Sequence, residues 1–301
     1  MRVGLTGASG LLGRALGAAL AARGDEVVVL ARPGSAPSTN PTLAWDPAHQ
    51  TISPEDARRL GGLDAVVHLA GAGIGERRWS LARRREIRDS RVHATRFLAE
   101  LLARGGGRAH LVSASAIGYY GSRGDEPLDE TSAPGEGFLA DVCVAWEDAA
   151  RGYGVAGGDV ALLRTGIVLD ARGGALARQL PLFRLGLGGR LGPGTQWVSP
   201  ISVRDHVRAT LFALDHRLSG ALNLVAPTPA TNAELTRTLA RALARPGVVA
   251  VPSFALRLAL GRQMADELLL SSQRVVPARL EAEGFTFEHP TLAEVVRAAL
   301  N

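Results

Sequence analysis

A doubly wound α/β fold, a parallel sheet with helices on both faces, is predicted by three features of this 301-residue sequence. Apolar runs rich in valine and leucine recur at residues 2–6, 26–31, 65–70, 109–114 and 159–164, as strands covered on both faces require. Helical patterns separate them near 11–23, 80–104 and 138–152. The first run enters a turn with glycines at 7, 10 and 13, and a helical stripe of Leu12, Leu16, Ala19 and Leu20 follows at once.

That turn has a physical use. Glycines let the backbone approach a pyrophosphate closely, and the helix behind them offers free N–H groups and a positive dipole end. A strand, a glycine turn and a helix in this order predict a dinucleotide site of the Rossmann kind, cradled by Gly7, Ser9, Gly10, Leu11, Leu12 and Gly13. An NAD site would place a carboxylate at the end of the second strand, to bond the ribose 2′-hydroxyl. The residues there are Leu30-Ala31-Arg32-Pro33. Arg32, next to Ala31, can fork a 2′-phosphate, so NADP(H) is expected over NAD(H); the alternative is an arginine simply exposed at a strand end.

The third run ends in Leu69-Ala70-Gly71, small enough at the last two positions for the adenosine ribose and linking phosphates to reach the backbone. His68, inside that run, reads as a satisfied core histidine. On the long helix, Ile87, Arg91, Ala94, Leu98 and Leu102 share one face, so a cation falls on an apolar stripe. It requires a partner. A cofactor phosphate or a backbone carbonyl would serve, and snorkelling at the edge of the stripe remains open.

Composition narrows the partners. The formal charge is +5, and with no lysine in the chain all 34 basic side chains other than histidine are arginine. The densest cluster, Arg83-Arg84-Arg85 with Arg77, Arg78 and Arg88, is punctuated by Glu76, Glu86 and Asp89. It reads as a solvated helix face, and no nucleic-acid partner is expected. No apolar run is long enough to span a membrane, and the first residues read straight into a strand, so secretion is not expected. Cys143 is the single cysteine, so a reducing, cytoplasmic setting is expected. The scattered histidines offer no metal site.

After residue 165 the pattern changes. Residues 186–194 are glycine-dense and read as a mobile or close-packed loop. Ser202-Val203-Arg204-Asp205 opens a helix, and Ala221–Val225 reads as one more strand. Thr231-Asn232-Ala233-Glu234 and Thr291-Leu292-Ala293-Glu294 have capping-box spacing, and a short helix runs from Pro277 to Gly284. The expected division is a nucleotide-binding domain over 1–170, with a returning strand and helix near 200–226. A smaller, mostly helical, substrate-side domain takes 171–199 and 227–301.

The glycine turn, Leu69-Ala70-Gly71, the segment Ser113-Ala114-Ser115-Ala116-Ile117-Gly118-Tyr119-Tyr120-Gly121 and Arg164-Thr165-Gly166 resemble an extended short-chain dehydrogenase/reductase. Three further stretches resemble its atypical epimerase-like subfamily, which carries a C-terminal domain of unassigned role and is sometimes labelled a cell-division-inhibitor homologue. They are Arg88-Asp89-Ser90-Arg91-Val92, Phe138-Leu139-Ala140-Asp141-Val142-Cys143 with Trp146-Glu147, and Glu267-Leu268-Leu269-Leu270-Ser271-Ser272-Gln273-Arg274-Val275-Val276-Pro277. The resemblance spans essentially the whole chain. It implies that Arg91 stands where ordinary members have an asparagine beneath the nicotinamide half, and Leu69, Ala70, Gly71 and Val168 complete the cofactor residues.

The resemblance also implies a serine, a tyrosine acting as acid/base and a lysine four residues later. Here Leu139 occupies the tyrosine position and Cys143 the lysine position. Ser115 remains, and Tyr119 or Tyr120 is the candidate phenol, with Arg91 or Arg164 as candidate cations to lower its pKa. Where the subfamily has Trp-Ile-His, this chain has Pro200-Ile201-Ser202, which removes an aromatic and a histidine that could face substrate; Trp197 either replaces that surface or packs. Two functions are in view. One is an NADP(H)-dependent epimerase, dehydratase or reductase acting on a small polar substrate. The other is a catalytically silent NADP(H) sensor, linked to cell division. A homodimer through the helix near 80–104 fits either.

Overall fold

The computed structural model describes residues 1–35, 38–106 and 108–301. β1 (Arg2–Thr6) runs into α1 (Leu11–Ala22), followed by β2 (Glu26–Ala31), β3 (Thr42–Asp46), β4 (Thr51–Ile52), α2 (Pro54–Gly61) and β5 (Ala65–His68). The long α3 (Leu81–Arg104) leads to β6 (His110–Ala116), then β7 (Pro127–Leu128), α4 (Phe138–Val155) and β8 (Val160–Thr165). Next come β9 (Ile167–Asp170), α5 (Gly174–Arg184), β10 (Gly189–Leu191), β11 (Trp197–Val198), β12 (Pro200–Ser202), α6 (Val203–Asp215) and β13 (Gly220–Leu224). The rest holds β14 (Ala230–Thr231), α7 (Asn232–Ala242), β15 (Val249–Val251), α8 (Ser253–Leu260), α9 (Arg262–Leu268), β16 (Arg274–Val275), α10 (Ala278–Ala282) and α11 (Leu292–Leu300).

The main sheet has the order β13-β8-β6-β5-β1-β2-β3-β4 and is parallel except for the final β3/β4 pair. This is the predicted doubly wound sheet. β1 lies between β2 and β5, so the chain reverses direction of travel across the sheet there. Ligands of such folds bind in the crevice above the carboxyl ends at that reversal.

Alternation along the strands sends side chains to two cores. Val3, Leu5, Val67 and Val112 pack with Leu16 and Leu20 of α1 and Ala209 and Ala213 of α6. Val28, Leu30, Val66 and Leu111 pack with Leu98 and Leu102 of α3 and Ala150 and Tyr153 of α4. A third cluster joins Leu176, Leu180 and Phe183 of α5 to Leu239 of α7 and Val295 and Val296 of α11. Both predicted capping boxes are formed, at Thr231/Glu234 and Thr291/Glu294. Among the described residues, no helix is long and apolar enough to cross a membrane.

The structure corrects two readings and adds a unit at the sheet edge. The glycine-dense stretch is not wholly loop: Gly189–Leu191 pairs in parallel with Val249–Val251. Residues 42–61 add two strands and a helix at the sheet edge, where Trp45 is buried and stacks on Phe97 of α3. Within the arginine cluster, Arg83 is 5% exposed and pairs with Glu76 and Glu86, so that face is only partly solvated.

Two buried histidines make stability depend on pH. His68 lies between the hydroxyls of Thr6 and Thr95, and His206 meets the Thr165 hydroxyl. Burial lowers each from the ordinary 6.5 to about 4. The unfolded chain therefore binds more protons between those values, and stability is complete above the unfolded pKa and lost as pH falls toward the folded one. At 1.36 kcal/mol per unit, each costs about 3 kcal/mol by pH 4. Urea midpoints measured from pH 7.5 down to pH 4.5 should fall steadily below pH 6.5; a flat profile would contradict the neutral, buried state of both rings.

Candidate cofactor site

The glycine turn sits at the sheet reversal and leaves no spare volume. Gly7 has φ +68°, and a Cβ there would lie 2.9 Å from the Leu69 carbonyl carbon. A Cβ on Gly13 would lie 2.1 Å from the Gly7 oxygen, so α1 abuts the turn backbone to backbone. Gly10 is the N-cap of α1, donates its N–H to the Gly7 oxygen at 3.0 Å, and has no side chain with which to cap the helix. The N–H groups that open α1, from Leu11 and Leu12 onward, are left for an external acceptor beside exposed Ser9. That is the chemistry of an anion cradle, and a pyrophosphate fits it. The segment after β9 closes one side, with Gly173 packed against the Leu11 side chain. Val168 on β9 pairs with Ile201 and is half-buried beside the α1/α6 core. At the end of β2, Ala31 is half-buried and Arg32 is exposed.

The β5 edge is held by a hydrogen-bond chain. The Thr6 hydroxyl accepts from the N–H groups of Leu69 and Ala70 at 3.0 and 3.1 Å. Its own proton then goes to His68 Nδ1 at 2.7 Å, which leaves Nε2–H to donate to the Thr95 hydroxyl at 3.0 Å. The Thr95 hydroxyl also accepts from Trp146 Nε1 at 2.9 Å. His68 is thus the satisfied core histidine expected, and it fixes the strand end that carries Gly71. Arg91 lies over the Trp146 ring, 5.2 Å from its centroid, against Gly71. It donates to the Ile87 carbonyl at 3.0 Å and forms no ion pair among the described residues. Burial draws its guanidinium below the ordinary value, against the pull of the Cys143 sulfur on α4, and the like charge of Arg83 adds to the fall.

The structure does not assemble a serine–phenol pair. Ser115 is 3% exposed and donates to Glu147 Oε1 at 2.8 Å. Glu147, also buried, is held by Arg164 through Nε at 2.8 Å and Nη2 at 2.9 Å, and by Arg151 at 2.7 Å. Tyr120 donates to Asn223 at 2.7 Å and accepts from Arg164 at 3.0 Å. Burial pushes its phenol up to about 12, outweighing the opposing pull of Arg164. Tyr119 is half-buried with its ring 3.5 Å from the Arg164 guanidinium, and its hydroxyl has no partner among the described residues. Of the three candidates, only Tyr119 keeps a free polar atom. Leu139 and Cys143 line α4 beside Gly118, and burial, with the Glu147 charge, pushes the thiol up to about 12.

Sequence reasoning missed the C-terminal contribution. α4 begins at Gly137, which has no side chain to cap it, and the Glu267 carboxylate of α9 accepts from the N–H groups of Phe138 and Leu139 instead. Gln263 donates to that carboxylate and accepts from Arg84 of α3. Gln273 pins the 117–121 turn, donating to the carbonyls of Ile117 and Gly121 at 3.0 Å each. No local pattern announces contacts between residues so far apart. Pro200 and Ser202 are buried: they form β12, and Ser202 caps α6 and bonds His289. Trp197 packs, with its N–H on Asp125 and Arg274 over its ring.

A parallel sheet with its reversal at a glycine cradle defines a Rossmann-fold protein. Residues 3–224 match the NAD dependent epimerase/dehydratase family, to which this chain belongs, and residues 251–299 match a domain of unknown function, DUF1731. Epimerase family protein Mb2239 of Mycobacterium bovis is 45% identical over 98% of this chain and 96% of its own length. The crystal structure of human epimerase family protein SDR39U1 (isoform 2) with NADPH is 33% identical over 99% of both chains, with a TM-score of 0.88. A Thermus thermophilus UDP-glucose 4-epimerase complexed with NAD, 23% identical at a TM-score of 0.77, shares the fold over 99% of this chain and 98% of that one.

Proposed function

We propose that this protein binds NADP(H) and uses it in redox chemistry on a small polar carbonyl or alcohol compound, as an epimerase, dehydratase or reductase. The observation that carries the reading is the uncapped glycine cradle at the sheet reversal, followed by Arg32 with no carboxylate at the end of β2. The NADPH in the human SDR39U1 structure supports the same choice of cofactor. When bound, the nicotinamide supplies hydride transfer. The chain contributes the rest: Gly7, Gly10 and Gly13 admit the pyrophosphate, Arg32 holds the 2′-phosphate, and the free Tyr119 hydroxyl is the remaining phenol for proton movement.

A second reading, a catalytically silent sensor of NADP(H), is favoured by Leu139 and Cys143 on α4, where an acid/base tyrosine and its lysine are absent. Incubation with NADPH deuterated at nicotinamide C4 and a soluble metabolite extract separates the two. Deuterium in a metabolite supports the enzyme; NADPH binding without transfer supports the sensor. For the cofactor itself, Arg32→Ser should weaken NADPH binding by about 10- to 100-fold while sparing NADH, the scale of a charge-assisted hydrogen bond to phosphate. Equal affinity of the unaltered protein for NADH and NADPH would sink the NADP(H) assignment.

A further inference from the structure

Charge is not spread evenly along this chain. Residues 171–204 and 235–265 together hold ten arginines and no aspartate or glutamate, so the rest is net negative although the whole carries +5. The arginines of α3, by contrast, are interrupted by acidic residues. The same two stretches also hold most of the bulky apolar surface. Of the ten large hydrophobic side chains left exposed among the described residues, seven fall within 182–187, 248–249 and α8.

Scattered singly, such residues need no explanation, but here the fold gathers them. The chain leaves α5 at Arg184 and bends at Gly186, where a Cβ would lie 3.3 Å from Pro246 Cγ. Arg245 donates to the Arg184 carbonyl at 2.9 Å, and β10 runs beside β15 with Gly189 opposite Val249. Leu185 and Leu187 therefore share one corner with Val248, and all three are exposed. Val248 in turn lines a shallow hollow of about 340 Å³ with Arg237 and Arg241, one turn apart on α7, and Arg245 beyond its end. No ion pair among the described residues includes any of these three arginines. Glu234, the acid nearest them in the chain, is spent capping α7 at Thr231.

A corner that is both apolar and cationic selects its partner. A second copy is disfavoured, because a two-fold interface sets each patch against itself and brings arginine towards arginine. Nucleic acid is met by aromatic rings on which bases stack, and this corner offers leucine and valine. Anionic lipid answers both components: headgroup phosphates take the guanidinium donors, and leucines enter the acyl boundary beneath them. We propose that this corner docks the protein on the surface of an anionic lipid bilayer, lying on it without crossing it. The proposal is independent of the cofactor assignment.

The test is sedimentation of the full chain with vesicles. Phosphatidylcholine vesicles containing about one-third phosphatidylglycerol should carry the protein down, and phosphatidylcholine alone should not. Each arginine near an anionic surface contributes on the order of fivefold in affinity, so Arg237→Gln with Arg241→Gln should weaken binding about 10- to 30-fold. Molar salt, which shortens the Debye length to about 3 Å, should weaken it at least as much. Leu185→Ser with Leu187→Ser should weaken it at least about 10-fold with the charge unchanged. All four side chains are exposed, so melting temperatures should stay within about 2 °C, which separates lost docking from lost folding. Should the leucine pair fail that check, the arginine pair and the two vesicles still decide. The proposal is overturned if neither vesicle carries the protein down, if both do so equally, or if the arginine pair has no effect. A dimer in lipid-free solution that the leucine pair disperses would overturn it by making the corner an interface between copies. Binding to duplex DNA or poly-glutamate that needs the arginines but not the leucines, with no vesicle binding, would overturn it in favour of an acidic macromolecule.

Discussion

Glu147→Ala is expected to destabilise the fold by about 3–5 kcal/mol, because it leaves the Arg164 guanidinium buried without its counter-charge. Arg164 and Glu147 are 3% and 0% exposed, and the carboxylate also accepts from Ser115 and Arg151. Removing it orphans a charge and a buried hydroxyl together. At roughly 2–4 °C per kcal/mol for a chain of this size, the melting temperature should fall by roughly 6–20 °C. The paired change Glu147→Leu with Arg164→Met should regain most of that loss, since well-packed apolar residues often match a buried ion pair. A melting temperature within 2 °C of the unaltered protein for Glu147→Ala would show that water reaches Arg164 and that the network is looser than its distances imply.

Gly13→Ala should cost NADPH at least about 100-fold in affinity. The added carbon would stand 2.1 Å from the Gly7 oxygen and 2.8 Å from the Ala8 Cα, and neither backbone atom can retreat as a side chain would. Either α1 moves away from the turn, taking its N–H groups with it, or the turn itself is re-aimed. Gly17→Ala on the same helix is the matched control. Its Cβ would make only an ordinary 3.5 Å contact with Leu5, and alanine is the better helix former by about 1 kcal/mol. Binding should survive at position 17 and fail at position 13; equal binding by both variants would remove the cradle from the cofactor site.

The parts of the fold that could be read from sequence are those whose signal is local. The glycine turn, the apolar strands and the α3 stripe of Ile87, Ala94, Leu98 and Leu102 each declare themselves within a few turns of chain, and all four stripe residues are buried. The edge hairpin of β3 and β4 was hidden because its strands are short, five and two residues. The Glu147–Arg164 pair, the capping of α4 by Glu267 and the seat of Arg91 on Trp146 join residues distant in the chain, and no spacing rule reaches that far. At the site, the glycine turn carries a local signal, whereas the surroundings of the candidate catalytic side chains are set by distant partners. Ser115 and Tyr120 carry the right atoms but spend them inside the core.

The Glu267 cap bears on how this architecture could have been put together. The region from 251 to 299 supplies the N-terminal carboxylate of α4, a strand alongside β7 through β16, and the Gln273 clamp on the 117–121 turn. A Rossmann half released from it would expose the amides at the start of α4 and lose the tie that shapes the turn carrying Tyr119. The two regions therefore behave as lock and bolt of one device, not as interchangeable cassettes. Gene fusion or domain shuffling that parted them would strip α4 of its cap and the 117–121 turn of its clamp.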